Sequence, residues 1–245
     1  MARRATKIAQ TRQRGGFSLL LDAGDSLTGD ADPARKSQGQ SSVTVMNMLG
    51  YDAMTLGPQD LSLGLTVLQQ RMAEAKFAVL SANAVISATG KLLAKPYVIR
   101  EFGGHKVAIV GLSGGSGAAE VAVRDPQETA QTIVAQLASQ ADAIILLSHA
   151  GETVDRQIAE TVPGIALIVS SGPFALTMPW RSKTGTLILH ADEATPGHAG
   201  RRVGIATLTF GGGRLIQQDW QQVGLDPQIA DDPAMSAWVQ KQFEQ

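Results

Sequence analysis

The stretch that decides the fold is residues 19–29, with the sequence LLLDAGDSLTG. Its apolar first half belongs to a predicted strand over residues 17–22. The residues Ala23, Gly24 and Asp25 that follow predict a tight turn. In layered α/β proteins, ligands gather in the loops at the carboxyl ends of strands. Asp25 is therefore the first candidate site residue.

The same alternation of short apolar runs and helical patterns continues along most of the chain, which predicts a layered α/β fold. The predicted strands cover residues 17–22, 53–56, 77–80, 97–102, 106–112, 143–147, 165–169, 186–190, 202–210 and 214–221. The predicted helices cover residues 2–14, 41–49, 65–75, 126–139, 152–160 and 233–243. Residues 57–60 are predicted to form a loop. No internal repeat or linker is visible, so we expect one domain over residues 1–245.

Composition excludes several classes of protein. The 245 residues include 21 Lys and Arg against 22 Asp and Glu, and this formal net charge of −1 argues against a nucleic-acid binder that works by counterion release. Cysteine is absent, which removes disulfides, zinc–thiolate sites and thiol nucleophiles. No apolar run reaches the roughly 18–20 residues of a membrane span. No signal-peptide core follows the basic start, so the sequence as it stands predicts a cytoplasmic protein, or a periplasmic or extracellular one if a signal lies upstream.

Four predicted strand ends carry polar residues: residues 22–25, 57–60, 148–149 and 170–174. A carboxylate after one strand and an imidazole after another, such as Asp25 and His149, would be able to share a divalent metal. The alternative is an Asp that forms a turn and a His that is hydrogen-bonded within the fold. Both interpretations remain open on spacing alone.

Several segments resemble the 5′-nucleotidase family of metallophosphoesterases. They are LLLDAGDSLTG at 19–29, VMNMLGYDAMTLG at 45–57, LSAN at 80–83 and LLSH at 146–149, and the resemblance extends in order over nearly the whole chain. It implies a four-layer αββα sandwich, in which two mixed β-sheets pack face to face with helices outside. It also implies a chemistry, the hydrolysis of phosphate esters by two adjacent divalent metals. By this resemblance Asp25 matches the bridging aspartate and His149 matches a metal-binding histidine.

Other positions depart from the family pattern. The family's Gly-Asn-His-Asp/Glu motif aligns with residues 57–60, where Pro58 has no side-chain oxygen and Gln59 does not exchange a proton near neutral pH. The Gly-His-x-His motif aligns with a segment in which Gly172 and Phe174 stand at the motif positions and offer no imidazole. One carboxylate and one histidine are too few ligands for two divalent ions.

The remaining histidines are the candidates for replacement ligands. His190 and Asp192 follow the next predicted strand and would be able to recruit a single metal, with surface or structural roles as the alternative. His105, beside a predicted hairpin turn, and His198, in a Pro/Gly loop, are expected to be solvent-exposed.

The resemblance begins after the family's opening Asp-x-His strand and does not include its C-terminal substrate-binding domain. A shortened sequence and loss in a decayed enzyme both explain the missing strand. We favour decay, because Pro58, Gln59, Gly172 and Phe174 differ independently of any truncation.

We therefore expect a non-catalytic metallophosphoesterase-fold protein, retained as a binding or structural subunit with a protein partner. No cofactor is expected under this hypothesis. The alternative is a divergent metal-dependent phosphoesterase that uses Asp25 and His149, with His190 or Asp192 as further ligands. Its cofactor would be a divalent metal such as Mn, Zn, Fe or Mg.

Overall fold

The computed structural model describes residues 1–28, 32–174, 176, 178–191, 200–211 and 214–243. Its helices are α1 (Ala2–Gln13), α2 (Asp32–Lys36), α3 (Gln40–Leu49), α4 (Pro58–Leu61), α5 (Leu65–Glu74), α6 (Pro126–Leu137), α7 (Glu152–Thr161) and α8 (Pro233–Phe243). Its strands are β1 (Leu21–Asp22), β2 (Ala53–Thr55), β3 (Ala78–Leu80), β4 (Ala84–Ile86), β5 (Tyr97–Phe102), β6 (His105–Leu112), β7 (Val121–Val123), β8 (Ala143–Ser148), β9 (Ile165–Ser170), β10 (Trp180–Arg181), β11 (Leu187–His190), β12 (Arg202–Gly211) and β13 (Arg214–Gly224).

Two sheets form the centre of the molecule. The smaller has the order β1-β2-β3 and is parallel, whereas the larger has the order β10-β11-β9-β8-β6-β5. In the larger sheet β6, β8, β9 and β11 are parallel, and the edge strands β5 and β10 are antiparallel to their neighbours. Strand β8 is buried along its whole length, as expected for a parallel strand covered on both faces. Two further antiparallel pairs, β12-β13 and β4-β7, complete the sheets.

The two central sheets pack face to face, and helices cover their outer faces. Ala53 and Leu80 of the smaller sheet share a buried cluster with Ile109 and Ile145 of the larger one. Alternate residues of the smaller sheet, such as Met54, point outward and pack against α3 and α5. The outer face of the larger sheet packs in the same way against α6 and α7. This order of layers confirms the predicted α/β sandwich.

The N-terminal helix is docked on the small-sheet side. Ile8 of α1 lies in a buried cluster with Val45 and Leu49 of α3 and Met235 of α8. The guanidinium of Arg12 donates hydrogen bonds to the carbonyls of Leu49, at 2.8 Å, and Gly50, at 2.7 Å. Helix α1 therefore satisfies backbone groups at the C-terminus of α3. No helix in the described ranges is long and apolar enough to cross a membrane.

Local differences from the sequence predictions have physical reasons. The strand predicted over 17–22 pairs only at Leu21 and Asp22, opposite the short strand β2. The loop predicted over 57–60 was wrong, because Pro58 starts the one-turn helix α4 and Asp60 accepts a hydrogen bond from the backbone of Gly57. Strands β4, β7 and β10 and helix α2 were not predicted, since each has two to five residues and no resolvable period.

Candidate functional site

The site lies where strand ends of both sheets meet. Asp25 follows β1 of the smaller sheet, and His149 directly follows β8 of the larger sheet. The backbone N–H of His149 donates to the carbonyl of Leu112, at the end of β6, which fixes the start of its loop. The structure brings the two side chains together, with Asp25 Oδ2 and His149 Nε2 separated by 3.0 Å.

Asp25 adopts a backbone conformation that non-glycine residues seldom use. Its φ of 61° lies in the left-handed region, which costs most side chains roughly 1–2 kcal/mol. Short polar side chains such as Asp adopt it more readily than others, and here Asp25 Oδ1 accepts a tertiary hydrogen bond from the backbone of Gln59, in α4, at 2.8 Å. The turn thus aims both carboxylate oxygens at partners on other loops.

Asp60 is fully buried, and its carboxylate accepts backbone hydrogen bonds from the turn that contains Asp25. Its Oδ2 accepts hydrogen bonds from the backbone N–H of Asp25, at 2.8 Å, and of Gly57, at 3.0 Å. Its Oδ1 accepts from the backbone N–H of Leu27 at 2.9 Å. Burial raises the pKa of the Asp60 carboxyl to about 7 and the Asp25 charge adds to this, although the three N–H donors favour the ionised form.

His149 contacts an acceptor through each ring nitrogen. Nδ1 lies 2.9 Å from the carbonyl of Ala23, and because a carbonyl only accepts, Nδ1 carries a proton. Nε2 faces the Asp25 carboxylate. Burial by itself would lower the pKa of His149, but the hydrogen bond and charge of Asp25 outweigh it and the net pKa is raised. Both ring nitrogens therefore face acceptors, an arrangement that favours the protonated form of His149 beside Asp25.

Two glycines make this close approach of loops possible. A Cβ on Gly57 would lie 2.2 Å from Asp25 Oδ1, and a Cβ on Gly114 would lie 2.0 Å from the carbonyl oxygen of His149. Neither position leaves room for a side chain without moving the loops.

The residues that stand where the family pattern has metal ligands make packing contacts instead. Pro58 begins α4 and faces Gly115, where a Cβ would lie 3.1 Å from the Pro58 ring. Gly172 has a φ of 136°, and the ring of Phe174 lies over it. Phe174 also contacts His190, with ring centroids 4.6 Å apart.

The other histidines in the described ranges do not join the contact between Asp25 and His149. His190 is buried at the end of β11, and Asp192 and His198 lie outside the described residues. His105 was expected to be solvent-exposed and is partly so, with 29% of its side chain exposed and its ring stacked on Phe210 at a centroid distance of 4.5 Å.

Sequence reasoning did not single out Asp155, which is fully buried beneath the site. Ser148 Oγ donates to its Oδ1 at 2.5 Å, and the hydroxyl of Ser170 donates to its other oxygen. Burial raises the pKa of Asp155 to about 6, with the two hydroxyl donors acting in the opposite direction. The sequence does contain a sign of this role, because Asp155 lies on the same face of α7 as the buried residues Ile158 and Ala159.

The donor set does not fit a two-metal centre. Two divalent ions place about four positive charges within roughly 4 Å and need several anionic or imidazole ligands. Within the ranges that the structure describes, no group of three His, Cys, Asp or Glu side chains is arranged to hold a metal. Asp25 and His149 are directed at each other, and both Asp60 oxygens already accept backbone N–H groups.

Comparison with known proteins gives relatives for nearly the whole chain, although no family model matches it. A 5′-nucleotidase of Diplobatis ommata is 30% identical over 98% of the chain and 46% of its own length. A 5′-nucleotidase of Vibrio cholerae is 35% identical over 67% of the chain and 32% of its own length. The solved structure of a 5′-nucleotidase precursor from Thermus thermophilus is 28% identical, with a TM-score of 0.86 over 99% of the chain and 52% of that structure. The chain thus spans less than half of the length of these two curated relatives.

Proposed function

Because the chain belongs to the 5′-nucleotidase family of metallophosphoesterases, we propose that it is a non-catalytic member, retained as a binding or structural subunit. The enzymes of this family use a pair of divalent metals to polarise the phosphoryl group and activate water. This chain keeps the scaffold that surrounds such a centre and has lost most of the side chains that would hold it.

One observation carries the proposal: the Asp25 carboxylate and the His149 imidazole form a direct ion pair at 3.0 Å. In a metal centre each of these groups would offer a lone pair to a cation. Here the Nδ1 of His149 is committed to the Ala23 carbonyl and its Nε2 to Asp25. A metal at this position would have to displace the proton on Nε2 and replace the direct contact with Asp25.

The replaced positions support the same proposal. Pro58 contributes no side-chain donor, and Gln59 reaches Asp25 through its backbone N–H. Phe174 contributes a ring that packs on His190. Because these residues lie in two places, in α4 and in the segment after β9, restoring a metal pair would require changes at several positions at once.

The partner that we propose is a protein. The formal net charge of −1 gives no electrostatic drive toward nucleic acid. The competing candidate, a divergent phosphoesterase with a reduced metal site, would use Asp25 and His149, which converge at 3.0 Å, with His190 or Asp192 as a further ligand.

Hydrolysis of generic phosphate esters separates the two candidates. We expect bis-p-nitrophenyl phosphate and p-nitrophenyl phosphate to be hydrolysed no faster than in buffer, with Mn²⁺, Zn²⁺, Fe²⁺ or Mg²⁺ added. The Asp25→Ala variant tests the site, and His105→Ala serves as a control because His105 lies away from it on β6. Metal-dependent turnover that is kept in His105→Ala and lost in Asp25→Ala would overturn the proposal.

A further inference from the structure

We propose that Asp25, Asp60 and His149 form a metal-independent structural lock, in which three side chains hold together the loops that follow β1, β2 and β8. The inference rests on the proposed non-catalytic function, since a metal pair would compete for the same atoms. It assigns these residues a present role instead of treating them as remnants of a lost centre.

The first part of the lock joins the loops after β1 and β2. Asp60 lies in α4, directly after β2, and its carboxylate accepts the N–H groups of Asp25 and Leu27 from the β1 loop. Within the part of the chain that the structure describes, these two N–H groups have no backbone acceptor and donate only to this side chain. Asp60 thus replaces the backbone hydrogen bonds that an irregular loop cannot make for itself.

The second part joins the smaller sheet to the larger one. His149 directly follows β8 of the larger sheet and contacts the β1 loop twice, at the Ala23 carbonyl and at the Asp25 carboxylate. Both contacts are largely shielded, since the side chains of His149 and Asp25 are 7% and 17% exposed. A charge-assisted hydrogen bond in such surroundings is stronger than one between exposed groups.

The lock also accounts for the left-handed backbone of Asp25. A residue in this conformation persists when the surrounding contacts over-determine it. Asp25 is held by its backbone N–H on Asp60, by Oδ1 on the Gln59 N–H and by Oδ2 on His149. Removing His149 would leave a shielded carboxylate without its counter-charge and release the β1 loop from the larger sheet.

Thermal unfolding of the full chain in EDTA tests the lock. We expect EDTA to leave the Tm of the unmodified protein unchanged and His149→Gln to lower it by roughly 6–12 °C. His105→Gln is the matched control, because its Nδ1 lies 3.9 Å from Asp142 at a more exposed position. That variant also loses the ring stack on Phe210, so we expect it to lower the Tm by roughly 4 °C or less.

Two results would overturn the lock. A Tm of His149→Gln equal to that of His105→Gln would show that the contact holds nothing, and this outcome would leave the non-catalytic proposal intact. A drop in the Tm of the unmodified protein on adding EDTA would show that a metal joins the loops, whereas hydrolysis assays test the absence of catalysis separately.

Amide hydrogen exchange keeps the inference testable if His149→Gln does not fold. In the unmodified protein with EDTA, we expect the Asp25 and Leu27 amides to exchange roughly 100-fold or more slowly than unprotected amides. Their acceptors are the Asp60 oxygens, so their protection reports directly on the lock. Exchange at the rate of an unprotected amide would overturn it.

Discussion

At residue 57 the absence of a side chain determines whether two loops can meet. A Cβ on Gly57 would lie 2.2 Å from Asp25 Oδ1, although the φ of Gly57, −96°, suits any residue. We therefore predict that Gly57→Ala lowers the free energy of unfolding by about 1–3 kcal/mol through steric overlap alone. Gly224→Ala is the control, since a Cβ there meets no described atom within 4 Å. Urea denaturation measures both variants, and equal midpoints would contradict the steric explanation.

Some residues of the site could be predicted from the sequence and others could not. Asp25 and His149 were predicted as a pair because each lies in the loop at the carboxyl end of an apolar strand, where ligands gather in α/β proteins. The part played by Asp60 was not predicted, because it depends on backbone N–H groups whose directions are set only after the loops have folded. A sequence shows which carboxylates are present, but the choice of backbone partners belongs to the tertiary structure.

At the scale of the elements, Arg12 links α1 to the end of α3. Its guanidinium donates to the Leu49 and Gly50 carbonyls, which the helix itself leaves without partners. We predict that Arg12→Ala lowers the free energy of unfolding by about 0.5–1.5 kcal/mol, as measured in urea. Arg14→Ala provides the control, since Arg14 is exposed like Arg12 but its side chain makes no hydrogen bond among the described residues. A variant at Arg12 that is no less stable than this control would contradict the proposed capping.

Asp155 connects α7 to the ends of β8 and β9 and predicts a pH dependence. Its pKa is raised from 3.8 to about 6, so the folded chain keeps a proton that the unfolded chain has already lost. Its contribution to stability is therefore fully present below the unfolded value of 3.8 and is lost as the pH rises through about 6.

Urea midpoints of the unmodified protein and of Asp155→Asn, measured at intervals from about pH 4 to about pH 7, check this dependence. We expect the stability difference, unmodified minus variant, to fall as the pH rises and then to level off. Asp60 titrates in both proteins and cancels from the difference. A difference that is constant or rises with pH would show that Asp155 has an ordinary pKa in the folded chain.

Elements differ in how well the sequence predicts them. The long central strands β6, β8 and β9 were predicted nearly to their ends, because continuous apolar runs are typical of buried parallel strands. Strands β4 and β7 have three residues each and depend on pairing with one another across a long stretch of chain. Such short elements are products of the tertiary fold and carry no local signal.

For the whole molecule, the layered packing is the fold expected for the family. The residues of the candidate site differ from the family's motifs at several positions. Apolar periodicity predicts a layered α/β fold, the family resemblance implies the order of helix, sheet, sheet and helix, and the solved 5′-nucleotidase precursor shares the fold. A fold by itself does not imply an activity, because chemistry depends on a few side chains in the loops. In this chain those loops are held by an ion pair, backbone hydrogen bonds and glycine packing.

The most direct test of the non-catalytic account is the metal content of the full chain. The protein is equilibrated with Mn²⁺ or Zn²⁺, passed through a desalting column and analysed for bound metal, beside Asp25→Ala and His105→Ala. The account predicts that all three retain no more metal than the column buffer contains. Stoichiometric metal in the unmodified protein and in His105→Ala, absent from Asp25→Ala, would contradict it.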